Sequence, residues 1–154
     1  MQQEQLIIFI ESIQEYFKKI TGDTVTVGVP YLKNSDRVEL LNYTGAIGIS
    51  GKIRGAIYFT AEEEFVYKLI CTIMPGSERS VKNLASMTGE LANTIAGNAQ
   101  KTLGPQFHIS VPMVIISENG NRESHLEIEA PTFIIPLKWG DHQALLGVGL
   151  EKEE

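Results

Sequence analysis

The sequence predicts an α+β fold in which long helices pack on a largely antiparallel sheet. We expect residues 1–154 to form a single domain. Two β-rich runs, Tyr43 to Ser50 and Lys52 to Thr60, are separated only by Gly51, which is typical of a hairpin. Amphipathic helical patterns lie on both sides of this hairpin along the chain. The chain has 154 residues and is 43% apolar, which is enough for one core.

A helix and a short strand are predicted before the hairpin. Apolar residues recur at helical spacing over residues 3–20, and Thr21-Gly22-Asp23 supplies a C-terminal stop signal. β-branched residues alternate from Thr24 to Val29, which favours a strand that ends near Pro30. The polar residues 33–42 predict a loop.

Two helices and three strands are predicted after the hairpin. The second helix opens at Ala61-Glu62-Glu63-Glu64, where acidic side chains favour the positive end of the helix dipole, and closes at Pro75-Gly76. The third runs from about Ser80 to Leu103 and is bounded by Gly104-Pro105. The strands cover residues 107–117, 123–138 and 142–150, with an Asn-Gly turn signal within residues 118–121.

Charge and hydropathy exclude several classes of function. The net charge is −6 and no cluster of Lys and Arg occurs, so neither nucleic acid nor an anionic membrane surface is an expected partner. The start of the chain lacks the basic residues of a signal peptide, and its apolar run from Leu6 to Ile10 is too short to span a bilayer. We therefore expect a cytoplasmic protein.

Common catalytic and metal motifs are absent from the sequence. The histidines His108, His125 and His142 fall on different predicted elements, without the spacing of metal ligands, so no metal held by this chain is expected. The glycines of the hairpin suggest a phosphate-binding loop, but Ile53 stands where that motif needs Ser or Thr. Close approach of a neighbouring backbone or helix explains these glycines better.

The third helix has two distinct faces when its residues are placed at about 100° each. One face is an apolar stripe made of Leu84, Met87, Leu91, Ile95 and Ala99, and the opposite face carries Ser86, Glu90, Asn93, Gly97 and Lys101. Glu90 and Asn93 are three residues apart and project together into solvent. A solvent-facing glycine costs about 1 kcal/mol relative to alanine, but it leaves room for another molecule to approach. From spacing alone, Glu90 and Asn93 could equally be ordinary surface residues, and Gly97 could pack within the same protein.

The stretch from Gly89 to Ala99 resembles the signature helix of the CheC/CheX/FliY family of chemotaxis phosphatases, whose pattern is Glu-x-x-Asn with a glycine four residues after the Asn. The likeness is closest to CheX and covers essentially the whole chain. It includes the amphipathic first helix, Val29-Pro30-Tyr31-Leu32, the Gly-rich hairpin 45–60 and Ile109-Ser110-Val111-Pro112. The first helix has Glu11 but carries Gln14 where the pattern wants Asn, so we assign no activity to it.

This resemblance implies a phosphatase that acts on the aspartyl phosphate of a CheY-like response regulator. It implies that Asn93 orients the attacking water and that Glu90 pairs with a lysine of the regulator. Ser86, Gly97 and Lys101 would bind the partner, and Mg2+ would come with the regulator. It also implies a homodimer joined at a sheet edge, for which strands 107–117 and 130–137 are the candidates. The alternatives are a non-catalytic binding module with the same fold and a structural component of a larger assembly.

Overall fold

The structure is a computed structural model that describes residues 3–33, 37–104, 107–117, 122–127 and 131–152. Within these residues the helices are α1 (Gln3–Thr21), α2 (Glu63–Ile73) and α3 (Val81–Leu103). The strands are β1 (Thr26–Val27), β2 (Tyr31–Lys33), β3 (Arg37–Leu40), β4 (Tyr43–Gly51), β5 (Ile53–Ala61), β6 (Phe107–Ile109), β7 (Met113–Ile116), β8 (Arg122–Glu127), β9 (Thr132–Trp139) and β10 (His142–Lys152).

A large antiparallel sheet forms the centre of the fold. Its strand order is β1-β9-β10-β5-β4-β6, with β2 also paired to β9 and β7 also paired to β4. The predicted hairpin is confirmed as β4 and β5, which pair from Tyr43 opposite Ala61 to Ile49 opposite Gly55. Strands β9 and β10 form a second hairpin, and β10 then pairs along β5. The predicted α+β class is therefore confirmed.

The main hydrophobic core lies between one face of this sheet and the three helices. Phe17 of α1, Phe65 of α2 and Trp139 of β9 meet there, with ring centroids 5.3 to 5.7 Å apart. A smaller cluster on the other face contains Tyr58 and Leu40, the latter from β3. None of the helices in the described part of the chain is both long and apolar enough to cross a membrane.

The prediction of a loop over residues 33–42 is wrong in part. Lys33 ends β2, and β3 pairs antiparallel with β8 in a separate two-stranded sheet. Leu40 at the end of β3 is buried against the main sheet. The sequence pattern missed this strand because its partner lies far along the chain and because residues 33–42 as a whole are mainly polar.

The prediction of one strand over residues 107–117 is also wrong, because these residues form two strands, β6 and β7, with a break in the ladder between them. Both strands pair with β4, but three residues from Ser110 to Pro112 stand opposite only Ile47 and Gly48. This is a β-bulge, and Pro112 has no N–H to donate to a ladder there. Ser110 restores the link, since its Oγ accepts a hydrogen bond from the Gly48 N–H at 2.9 Å.

The predicted strand over residues 123–138 is divided between the two sheets, as β8 and β9. The Asn-Gly turn predicted at residues 118–121 lies outside the described residues. Strand β9 has neighbours on both sides, β10 on one and β1 with β2 on the other. The candidate dimer edge at residues 130–137 is therefore wrong, because this strand already has its ladder filled over its described residues.

Candidate functional site

Helix α3 is fixed at both ends by local interactions. Ser80 is its N-cap, with the side-chain oxygen accepting a hydrogen bond from the Asn83 N–H at 3.1 Å. Gly104 ends the helix with φ of 90°, a conformation that glycine adopts without strain. The predicted third helix is confirmed, with bounds that agree to within one residue.

Glycines let α3 approach the sheet closely along its middle. A Cβ on Gly45 of β4 would lie 2.9 Å from the Cβ of Ala92 and 2.9 Å from the carbonyl oxygen of Thr88. On the helix side, a Cβ on Gly89 would lie 3.2 Å from a methyl carbon of Val114 in β7. These contacts hold the central turns of α3 in a defined position against the sheet, as the sequence predicted for a hairpin glycine.

The predicted apolar stripe of α3 is fully buried. Its five members have exposed fractions of 4% or less, namely Leu84, Met87, Leu91, Ile95 and Ala99. The opposite side of the helix is open, as predicted: Ser86, Glu90, Asn93 and Lys101 are exposed, and Gly97 is half-buried. The structure therefore brings the five residues of this open side onto one surface of α3.

Glu90 and Asn93 lie on this surface, and their side chains are available to contact another molecule. Neither side chain makes a hydrogen bond or ion pair with the described residues. The backbone carbonyl oxygen of Glu90 accepts a hydrogen bond from the Thr94 hydroxyl at 2.9 Å, which belongs to the helix itself. A carboxylate acceptor and an amide, which both donates and accepts, are thus available together to a partner.

Gly97 faces open space one turn after Asn93. A Cβ built on it would have no neighbour within 4 Å outside its own helix turn. Among the described residues, nothing therefore requires a glycine here for internal packing. This removes the interpretation in which Gly97 packs against another described element of the same protein.

A groove between α1 and α3 adjoins this surface and was not predicted from the sequence. Tyr16 of α1 lines the groove together with Thr94, Asn98 and Lys101 of α3. Burial raises the pKa of the Tyr16 hydroxyl above its ordinary value, and the negative charge of Glu90 raises it further. The only signal in the sequence was the position of Tyr16 beside the apolar residues of α1, and this does not specify which helix packs opposite.

Side chains that could bind a metal do not cluster in the part of the chain that the structure describes. No group of three or more His, Cys, Asp or Glu side chains within it could hold a metal ion. His108 is exposed and His142 is half-buried, on different strands.

Comparison with known proteins identifies the family. The family model described as chemotaxis phosphatase CheX matches residues 43–137, which is more than half of the chain and includes all of α3. A search of curated protein sequences returns no significant match.

Solved structures show the same fold over nearly the whole chain. A CheC-like superfamily protein from Shewanella sp. PV-4 has a TM-score of 0.85 at 21% identity, covering 98% of this chain and 99% of that one. Chemotaxis protein CheX from Vibrio vulnificus has a TM-score of 0.81 at 22% identity, with coverages of 96% and 99%.

A third similar structure contains a partner. It is the CheX-CheY-BeF3-Mg2+ complex from Borrelia burgdorferi, with a TM-score of 0.71 at 18% identity and coverages of 96% and 98%. At such identities these structures bear on the fold, whereas the family model bears on membership. The chain belongs to the CheX family of chemotaxis phosphatases.

Proposed function

We propose that this chain hydrolyses the aspartyl phosphate of a CheY-like response regulator in the cytoplasm. The observation that carries the proposal is the surface of α3, where Glu90 and Asn93 are exposed together and make no internal hydrogen bond to the described residues. Both lie within residues 43–137, the part of the chain that matches the CheX family model. A CheX relative in complex with CheY, BeF3 and Mg2+ supports a regulator of that kind as the partner.

Asn93 is the residue to which we assign the attacking water. Phosphoryl transfer depends mainly on positioning and on stabilising charge, so a side chain that only orients a water can suffice. The Asn93 amide can accept one hydrogen bond from that water and donate another to a phosphoryl oxygen. An amide does not titrate, so the reaction needs no group of perturbed pKa on this chain.

The remaining charge stabilisation is assigned to the partner. Mg2+ bound to the regulator would neutralise the phosphoryl oxygens. The described residues of this chain contain no group of three or more His, Cys, Asp or Glu side chains that could hold the ion. This chain therefore contributes the water-positioning amide and the docking contacts around it, including Ser86, Gly97 and Lys101.

Glu90 is assigned to docking rather than to chemistry. We predict that Glu90→Gln weakens binding of a beryllofluoride-activated regulator by about tenfold, since a charge-assisted hydrogen bond contributes about 1.5 to 3 kcal/mol. The value of kcat at saturating regulator should stay within about threefold, because Asn93 is unchanged. Isothermal titration calorimetry and a phosphate-release assay measure the two quantities.

Glu151→Gln is the matched control, because Glu151 is exposed on β10 and its substitution removes the same charge. Its affinity should equal that of the wild type. Equal weakening by both substitutions would mean that only net charge matters, and unchanged binding of Glu90→Gln would remove Glu90 from the docking surface.

We also propose that the chain is a homodimer joined through the edge formed by β6 and β7. These strands pair with β4 on one side, and the segment exposes Val111, Met113 and Ile116, with 87%, 52% and 44% of each residue accessible. We predict a mass of twice 17.0 kDa by size exclusion with light scattering. Ile116→Lys should shift the mass to the monomer, because a charge blocks edge pairing. A wild-type monomer at all concentrations would contradict this arrangement.

A further inference from the structure

A groove of about 480 Å3 runs between α1 and α3 and lies outside the Glu-x-x-Asn motif. Its lining is partly apolar, with Ile8 and Ile20 of α1, and Ile20 is 41% exposed. Charged side chains also line it: Glu11, Glu15 and Lys19 follow one another at intervals of four residues on α1, and Lys101 lies on α3. Exposed apolar side chains among charges of both signs are compatible with the outer part of a surface that another protein covers.

One polar group in the groove has no partner. Ser12 lines the groove and is 7% exposed, and its hydroxyl is buried without a hydrogen bond in the described part of the chain. A serine in a helix commonly donates to the carbonyl oxygen four residues earlier, as Thr88 does to Leu84 at 2.8 Å. A buried hydroxyl left unsatisfied costs free energy, and this one lies beneath the wall of the groove rather than in contact with solvent.

The groove is continuous with the surface that carries Glu90 and Asn93. Lys101 belongs to both, and Thr94 directly follows Asn93 along the helix. Tyr16 in the groove lies within the electrostatic influence of Glu90. A protein that contacts Glu90, Asn93 and Gly97 is thus bounded on one side by α1.

The two walls of the groove differ in their relation to the family. The α3 wall lies within residues 43–137, which match the CheX family model, and the α1 wall lies before them. The α3 wall carries the family motif, so contacts particular to this chain are more readily supplied by the α1 wall.

We propose that the α1–α3 groove is the second half of the regulator-docking surface, occupied by a segment of the regulator next to its phosphoaspartate. This rests on the proposed function. The α1 wall contributes affinity for the regulator and takes no part in hydrolysis. Lys19 is the residue that best tests it, because a cation favours the anionic acyl phosphate and carboxylates of the partner.

The test compares Lys19→Glu with Lys18→Glu. Both residues are exposed in the last turn of α1, so both changes alter the net charge and the interaction with the helix dipole. Only Lys19 lines the groove, whereas Lys18 donates a hydrogen bond from Nζ to the Gly22 carbonyl oxygen at 3.2 Å. For Lys19→Glu we expect the Kd for beryllofluoride-activated regulator to rise at least about fivefold, with kcat at saturation unchanged. Lys18→Glu should stay within about twofold of the wild type.

A second variant controls for net charge and folding. Glu15→Lys combined with Lys19→Glu exchanges the two charges, so the net charge and the i,i+4 spacing of opposite charges on α1 are kept. This variant should melt like the wild type and still bind more weakly. Equal weakening by Lys18→Glu and Lys19→Glu would show a general field effect and would overturn the groove as a docking site.

Asn93→Ala separates the two levels of the proposal. Wild-type binding by Lys19→Glu, together with lost hydrolysis in Asn93→Ala, would overturn the groove and leave the proposed function standing. Wild-type behaviour of both variants would overturn both.

Discussion

Replacing Asn93 with alanine is expected to lower the rate of phosphate release from a phosphorylated regulator by about a hundredfold or more. Misplacing a reacting group by about 1 Å can cost this much, and alanine removes the positioning amide altogether. The fold should not change, because Asn93 is exposed and its side chain makes no hydrogen bond to the described residues. Single-turnover phosphate release at saturating Asn93→Ala measures the effect without interference from binding.

Asn98→Ala is the matched control for this prediction. Asn98 lies on the same helix, five residues after Asn93, and lines the groove assigned to docking, so its removal should affect affinity at most and leave the single-turnover rate at saturation within about threefold. If Asn93→Ala binds less tightly but hydrolyses at the wild-type rate once saturated, the chain is a binding module in which Asn93 serves affinity alone. That outcome would favour the non-catalytic alternative.

Replacing Gly147 with alanine is expected to destabilise the fold by about 3 kcal/mol, near the upper end of the cost of overpacking. A Cβ on Gly147 of β10 would lie 1.9 Å from Cε1 of Tyr58, which stands opposite it on β5. Tyr58 is fully buried in the smaller cluster, so any movement of its ring would have to displace other packed side chains. For a chain of this size the melting temperature should fall by roughly 6 to 12 °C, as calorimetry would show.

Gly97→Ala also replaces a glycine with alanine, but here we expect the free energy of unfolding to rise. Open space surrounds Gly97, so alanine should raise the free energy of unfolding by as much as about 1 kcal/mol through helix propensity. The same methyl group should weaken regulator binding, because it fills the space assigned to the partner. A Gly147→Ala protein as stable as the wild type would contradict the packing of Tyr58, and a Gly97→Ala protein with full affinity would contradict close docking at Gly97.

The sequence was informative where the deciding interactions are local. The third helix has a serine cap, a glycine end and a strong apolar period, and all three are read within about 25 residues of chain. Its faces follow from geometry alone, which is why the exposed positions of Glu90 and Asn93 could be predicted. The hairpin of β4 and β5 was predictable for the same reason, because its two strands are adjacent in sequence.

Features that depend on distant partners were not predictable from local pattern. Strand β3 lies in a mainly polar stretch of sequence and becomes a strand through pairing with β8, more than 80 residues later. The break between β6 and β7 depends on the register of both strands against β4. The groove beside Tyr16 exists only because α1 packs along α3. The partner proposed for the exposed face was inferred from likeness to a family, since spacing alone cannot distinguish a docking surface from a solvated one.

The central claim is that this chain acts as a catalyst on a regulator's aspartyl phosphate. The direct measurement is the time course of inorganic phosphate release from a phosphorylated CheY-like regulator with the chain present in substoichiometric amount. We predict that the rate rises in proportion to the chain and that each chain molecule releases many phosphates. A rate equal to spontaneous hydrolysis at every concentration, although the regulator binds, would contradict the claim.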